Sequence, residues 1–130
     1  MTDHEGIDKQ TFNLQDLREG SPQAFRIFFL KYFAEFFSFS QLLLPDKSSC
    51  KNVTAGAFFL VWAKRADFDN EKNIKAFLYT TLRDNCLHYL RRLQENPNAR
   101  EYAPEPRFTG SPPGEILLEI LAFAEQFAAI

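Results

Sequence analysis

The sequence is poor in cysteine, glycine, methionine and tryptophan. Two cysteines among 130 residues cannot build the disulfide framework of a small secreted domain. Cys50 and Cys86 stand in no metal-ligand spacing, so we expect two buried thiols in a cytoplasmic protein. No apolar stretch follows a basic start, which argues against a secretory signal. The longest apolar tract, 34–44, is broken by polar residues and too short to cross a bilayer, which argues against membrane insertion.

A large excess of charge of one sign is also absent. The net charge is −2, which for the whole chain argues against a partner with a polyanionic surface. The distribution along the chain changes that expectation. Residues 51–100 carry nine basic and five acidic side chains, whereas both flanking segments are acidic. The sequence therefore predicts a basic middle segment that can meet an anion.

Phenylalanine is abundant, with fifteen copies, and its spacing is helical wherever it is clear. Phe25, Phe29, Phe33 and Phe36 follow steps of four, four and three, which predicts a core stripe on one helix. No hairpin signal or repeat interrupts this pattern. We predict an all-α fold, a small orthogonal or antiparallel bundle of about four helices, with a further C-terminal helix after a proline-rich linker.

Capping residues predict where these helices begin. The first is expected over 13–19, and the second begins with Ser21 as N-cap and Pro22 at the first helical position. Ser48 or Ser49 is expected to cap the third, which runs to about residue 65. Asp69 or Asn70 is expected to cap the fourth, over 71–94. The third is apolar nearly all round, which predicts a central helix or one covered by a partner.

Basic side chains share one side of the predicted fourth helix. At about 100° per residue, Lys72, Tyr79 and Arg83 fall within about 40° of one another. Lys75 lies beside them, and Arg91 and Arg92 lie at the end of the helix. Cations with an interleaved aromatic ring are typical of a nucleic-acid surface, because cations neutralise phosphates and rings stack on bases. A solvated helix face explains the same charges, and Arg91 and Arg92 also suit a helix C-terminus.

The segment after this helix has a different composition. Residues 95–113 hold five prolines, which predicts a linker. Residues 114–130 read as an amphipathic helix that ends without a polar residue. This ending suggests a chain cut from something longer.

Several runs of residues together resemble the promoter-melting domain, region two, of extracytoplasmic-function (ECF) RNA polymerase sigma factors. They are 58–65 (FFLVWAKR), Phe68, 73–83 (NIKAFLYTTLR) and 89–92 (YLRR), preceded by 20–25 (GSPQAF) and Tyr32-Phe33. The resemblance covers roughly 14–94. It implies a region-two-like domain at 1–94, a linker at 95–113, and the truncated start of a region-four-like domain at 114–130.

The resemblance also implies a function, a bacterial transcription initiation factor without a cofactor. Such a domain binds the β′ clamp helices of RNA polymerase core, and recognises and melts the minus-ten promoter element by capturing bases of the single-stranded non-template strand. Such proteins can also be held by an anti-sigma factor. The implied DNA-binding residues are Lys72, Lys75, Tyr79, Arg83, Arg91 and Arg92, with 67–73 as the base-capturing loop. The implied polymerase-binding residues are Asn52, Ala55, Gly56 and Phe59.

Two further expectations complete the prediction. Family members usually carry Asp, Gln and Glu where this chain has Asn52, Ala55 and Gly56, so the docking face has lost its charges. An alternative is therefore a divergent sigma-like module for protein interaction or dimerisation through Ala55, Gly56, Phe59 and Ala63. No nucleophile, carboxylate pair, metal-ligand set or glycine-rich phosphate loop stands in a catalytic context, so we do not expect an enzyme.

Overall fold

The computed structural model describes residues 11–96 and 122–123, and these residues confirm the all-α prediction. Four α-helices follow one another along residues 11–96: α1 (Leu14–Arg18), α2 (Pro22–Gln41), α3 (Lys47–Ala63) and α4 (Glu71–Glu95). A short 3-10 turn, Arg65–Asp67, lies between α3 and α4. Of the predicted linker and C-terminal helix, only 95–96 and the helical pair Ala122 and Phe123 are described, and the rest lies outside the described residues.

Polar caps begin the first two helices as the sequence predicts. The Asn13 side chain accepts a hydrogen bond from the backbone N–H of Asp16 at 3.0 Å, and Ser21 accepts one from Ala24 at 3.1 Å. Each bond satisfies a donor that the first helical turn leaves without a partner. Gly20 separates the two helices at φ +96°, a conformation that costs other residues steric strain. The chain therefore reverses between α1 and α2 within very few residues.

The start of α3 corrects the predicted cap. Asp46, not Ser48 or Ser49, is the N-cap, and its side chain accepts from the backbone N–H of Ser49 at 2.8 Å. Ser49 instead lies inside the helix, where its hydroxyl donates to the Tyr89 hydroxyl of α4 at 3.0 Å. A tertiary partner thus takes the serine that local sequence rules assign to the cap. The helix also ends earlier than predicted, at Ala63.

The order of contacts shows how the three long helices run. Phe25 packs on Trp62 near the start of α2, whereas Ser40 near its end bonds Thr54, so α2 and α3 are antiparallel. Tyr32 reaches Glu71 and Phe39 reaches Tyr79, so α2 and α4 run in the same direction. Helix α3 packs on both α2 and α4, which is the central position predicted from its apolar surface.

Aromatic rings fill the centre between α2 and α3. Phe58 lies 5.0–6.0 Å, centroid to centroid, from four rings of α2, namely Phe28, Phe29, Phe33 and Phe36. All five side chains are fully buried. Phe123 packs edge-on against Phe29 and Phe33. The predicted core stripe is therefore confirmed.

Both cysteines are free thiols in the interior, as the sequence predicts. Burial raises the pKa of Cys86 to about 12 and also raises the pKa of Cys50. A buried thiol of raised pKa carries little thiolate, the form that reacts. None of the described helices is long and apolar enough to cross a membrane.

Candidate nucleic-acid interface

A turn between α3 and α4 forms one end of the candidate interface. Phe68 is buried there, and its ring lies 5.4 Å from the Phe77 ring of α4 in an edge-on arrangement. Asn70 adopts an extended conformation and its side chain accepts from the backbone N–H of Asn73 at 2.8 Å. Asn70 is thus the cap of α4, one of the two predicted. We call residues 67–70 the α3–α4 loop. Its buried ring and its cap fix both the path of this loop and the start of α4.

Arg65, just before this loop, contacts both the end of α3 and the turn after α1. Its guanidinium lies 4.3 Å from the centroid of the Trp62 ring, and its Nη1 donates to the Trp62 carbonyl at 3.0 Å. A Cβ built on Gly20 would lie 3.6 Å from Arg65 Nη2. Arg65 therefore fills the space between the end of α3 and the turn after α1. It acts in packing, although it belongs to the basic middle segment.

Arg18, the last residue of α1, holds the backbone of the α3–α4 loop. Its Nη1 donates a hydrogen bond to the carbonyl oxygen of Phe68. The same atom lies 3.9 Å from Asp69 Oδ1. The Arg18 side chain is 33% exposed, against 83% for that of Asp69. The loop is thus held at its backbone by a residue about fifty positions earlier in the chain.

One exposed face of α4 starts beside this loop. Lys72 and Arg83 lie on it, both exposed, about 16 Å apart along the helix axis at 1.5 Å per residue. The described residues give Lys72 no ion pair. Arg83 lies 3.2 Å from its neighbour Asp84, with both side chains about 60% exposed. Such surface pairs are weak in water, so this contact leaves Arg83 able to bind a phosphate.

Tyr79 on this face and Lys75 at its edge are bound to α2. Glu35 of α2 binds both side chains. Its carboxylate lies 3.4 Å from Lys75 Nζ and accepts a hydrogen bond from the Tyr79 hydroxyl at 2.6 Å. The Tyr79 ring packs against Phe36 and Phe39, leaving the residue 37% exposed. The hydrogen bond to Glu35 and burial raise the pKa of Tyr79. These two predicted DNA contacts therefore also join α4 to α2.

Glu71 forms a second connection between α2 and α4, one turn before the first. It accepts hydrogen bonds from the Tyr32 hydroxyl and from Lys31 Nζ, the latter at 3.1 Å. Burial raises the pKa of Glu71, but the hydrogen bonds from Tyr32 and Lys31 outweigh it and hold the pKa below its ordinary value. The bond to Glu71 raises the pKa of Lys31 in turn. We call Glu35, Glu71 and their four α2 and α4 partners the interhelical ladder.

Glu71→Gln should lower the free energy of unfolding by about 1 kcal/mol at pH 7, since charge-assisted bonds are stabilising and this site is partly exposed. A folded-state pKa below the ordinary value means that folding favours the ionised carboxylate. The stabilisation is therefore present above pH 4.5, the ordinary pKa of this carboxyl, and is lost as pH falls from there through the lowered pKa. Urea denaturation at a series of pH values should show the two proteins converging in acid.

The control for this change is Asp84→Asn, because among the described residues the Asp84 side chain pairs only with its exposed neighbour Arg83. We expect that variant to remain within about 0.5 kcal/mol of the wild type at pH 7. A constant difference between Glu71→Gln and wild type down to acid pH would show that Glu71 stabilises the fold without its charge.

Arg91 and Arg92 are exposed near the end of α4, and the described residues give neither an ion pair. At 100° per residue Arg91 is turned about 100° from Lys72, and Arg92 about 160°. The fold therefore brings Lys72, Tyr79 and Arg83 together on one side, with Lys75 at its edge, and leaves Arg92 on another. A strand bound along the side of Lys72 and Arg83 would have to continue along α4 and turn around it to reach Arg92.

The residues predicted to bind polymerase lie on α3, and their exposure differs from that of a surface face. Ala55 is 4% exposed and Gly56 is buried, whereas Asn52 and Phe59 are half-buried. Ala55 lies about 20° from Trp62 on the helical wheel, on the side that packs against α2. The chain itself covers Ala55 and Gly56, so these two positions offer little surface to a partner. Phe59 packs partly against the core.

Glu35, Glu71 and Arg18 are the important residues that sequence reasoning did not identify. Glu71 and Lys75, and likewise Lys31 and Glu35, stand four residues apart, the spacing of ordinary ion pairs along one helix. In the structure each acid pairs instead with the lysine of the other helix, Glu71 with Lys31 and Glu35 with Lys75. Only the relative positions of α2 and α4 show this.

Among the described residues no three His, Cys, Asp or Glu side chains are placed to hold a metal ion. His88 is exposed on α4 and Cys86 is buried, so the two point to different surroundings. No protein-family model, curated protein or solved structure matches the chain. What the interface binds must therefore be argued from its own residues.

Proposed function

We propose that this chain is a transcription initiation domain of the ECF sigma type, which binds core RNA polymerase and the unpaired minus-ten strand of a promoter. The observation that carries the proposal is the placement of the α3–α4 loop at the start of an exposed basic face. Lys72 and Arg83 lie on that face with no strong ion pair. Phosphates bind such cations, and a fixed loop beside them suits a base turned out of the stack.

The proposal gives different roles to the predicted contacts. Lys72 and Arg83 bind phosphates, and Arg91 and Arg92 bind them further along the strand. Lys75 is held by Glu35 and lies 5.0 Å from the centroid of the Tyr32 ring, so its charge is already partly compensated. Tyr79 keeps one ring edge accessible while its hydroxyl is bound. We therefore assign Lys75 and Tyr79 mainly to orienting α4, with phosphate or base contact as a lesser part.

Polymerase binding in this proposal involves the part of α3 that stays accessible. Asn52 and Phe59 are half-buried, whereas Ala55 and Gly56 are covered. The β′ clamp helices would thus meet Asn52 and Phe59 first. Such a domain would act in the cytoplasm, where an anti-sigma factor could compete for the same side of α3.

The direct test uses the full chain and two probes. A fluorescent 20-nucleotide single strand carrying an AT-rich centre should bind more tightly than its duplex, with an affinity that falls as salt rises. Core RNA polymerase should co-migrate with the chain in size-exclusion chromatography. Failure of both measurements would overturn the proposal. Self-association of the chain, with no binding to polymerase or DNA, would favour the interaction module instead.

A further inference from the structure

We propose that Arg18 is a positioning residue that holds the α3–α4 loop in the conformation that receives an unpaired base. This inference rests on the proposed function for its purpose. We call the hydrogen bond from the Arg18 guanidinium to the loop carbonyl the Arg18 clamp. This clamp can be tested without any DNA. No pattern in the sequence connects α1 to this loop.

The geometry puts the Arg18 donor at the middle of the loop. Its Nη1 donates to the Phe68 carbonyl and also lies near Asp69, while the Phe68 ring is buried and packs on Phe77. Phe68 is therefore held both at its carbonyl and at its ring. Asp69 and Asn70 are exposed, and their positions follow from that fixed residue.

Helix α1 gives Arg18 a rigid base. Leu17, the preceding residue, is fully buried in the core. The Asn13 cap begins α1, and Gly20 and Ser21 connect it directly to α2. Helix α1 also packs against the 3-10 turn that leads into the loop. Arg18 thus connects the packed core to the loop.

The charged and polar groups around Arg18 favour a positioning role over phosphate binding. Arg18 already donates to a carbonyl and lies near a carboxylate, whereas the described residues give Lys72 no ion pair. A cation that is already bonded in this way gains less from a phosphate. Its contribution to binding is to order the loop before the strand arrives, because a preformed loop loses less conformational entropy on binding.

The test compares Arg18→Met with Gln15→Met in the full chain. Methionine keeps most of the apolar stem of arginine but cannot donate a hydrogen bond. Gln15 lies exposed on the same short helix, and among the described residues its side chain bonds only to Glu19. Amide hydrogen exchange at Asp67 reports on the turn, because this N–H bonds the Lys64 carbonyl at 2.8 Å. We expect about tenfold faster exchange in Arg18→Met and no change in Gln15→Met. Exchange at Leu82 in α4 checks that the fold is intact.

Binding to the fluorescent single strand gives the second readout. Arg18→Met should bind about five- to tenfold more weakly, with the slope of log affinity against log salt unchanged. A flatter slope would make Arg18 a phosphate contact and overturn the positioning role. Unchanged exchange at Asp67 would overturn the clamp whatever the DNA result. If the wild type does not bind the strand, the proposed function fails, and the clamp is then judged on exchange alone.

Discussion

Phe58→Ala should lower the free energy of unfolding by about 3–5 kcal/mol, the range expected for removing a fully buried phenylalanine. Four rings of α2 surround Phe58, the nearest with its centroid at 5.0 Å. Neighbouring side chains cannot fill the space, since the rings around it are themselves fully buried and held by α2. Urea denaturation followed by circular dichroism at 222 nm measures this loss. A domain of this size has about 5–15 kcal/mol of stability in total, so the variant should be close to unfolding at physiological temperature.

Leu42→Ala is the matched control, because Leu42 is 81% exposed at the end of α2. We expect that change to stay within about 0.5 kcal/mol of the wild type. A loss for Phe58→Ala no greater than that of the control would mean that the α2–α3 aromatic packing is not the core of the fold.

The double variant Lys72→Gln/Arg83→Gln should lose about tenfold in affinity for the single strand at 0.1 M salt. Each neutralised phosphate releases counterions, so each lost contact should flatten the slope of log affinity against log salt by about 0.7. Each single variant should show about half of the double variant's loss in binding free energy and about half of its change in slope. The two contributions should add because the two side chains are about 16 Å apart and do not share a partner. Fluorescence anisotropy over a series of salt concentrations measures both quantities.

Lys47→Gln controls for the change in net charge of each single variant, since each of these changes removes one positive charge. Lys47 is exposed at the start of α3, away from the loop end of α4, where Lys72 lies. We expect its slope to equal that of the wild type. An equal loss in Lys47→Gln would show that the strand responds to overall charge, and would remove the α4 face from the proposal.

Local sequence rules predicted the helices because local chemistry forms them. Asn13, Ser21 and Asn70 each place a side-chain oxygen against N–H groups of the first helical turn, an interaction of residues within three positions of one another. The phenylalanine stripe of α2 was equally readable, since helical periodicity alone puts those rings on one side. Where a distant partner competes, the same rules failed. Ser49 is a reasonable cap by type, but Tyr89 binds its hydroxyl and Asp46 takes the cap.

The candidate interface was predictable only in part. Helical geometry put Lys72, Tyr79 and Arg83 on one side of α4, and the structure keeps them there. Pairing of Lys75 and Tyr79 with Glu35 could not be predicted, because it requires the distance between two helices about forty residues apart in the chain. Burial of Ala55 and Gly56 was missed for a related reason. From sequence alone, small residues on an apolar helix do not show whether their side of the helix faces solvent or packs against another helix.

The sequence by itself determined an all-α chain with a phenylalanine core and a basic middle segment, since composition and helical periodicity are local properties. Tertiary structure alone decided which cations are compensated, through Glu35 and Glu71, and which remain for a ligand. It also brought Arg18 of α1 to the carbonyl of Phe68. The physical reason is that charge pairing and backbone clamping depend on distances of a few ångströms between distant segments, and packing of α1, α2 and α4 sets those distances.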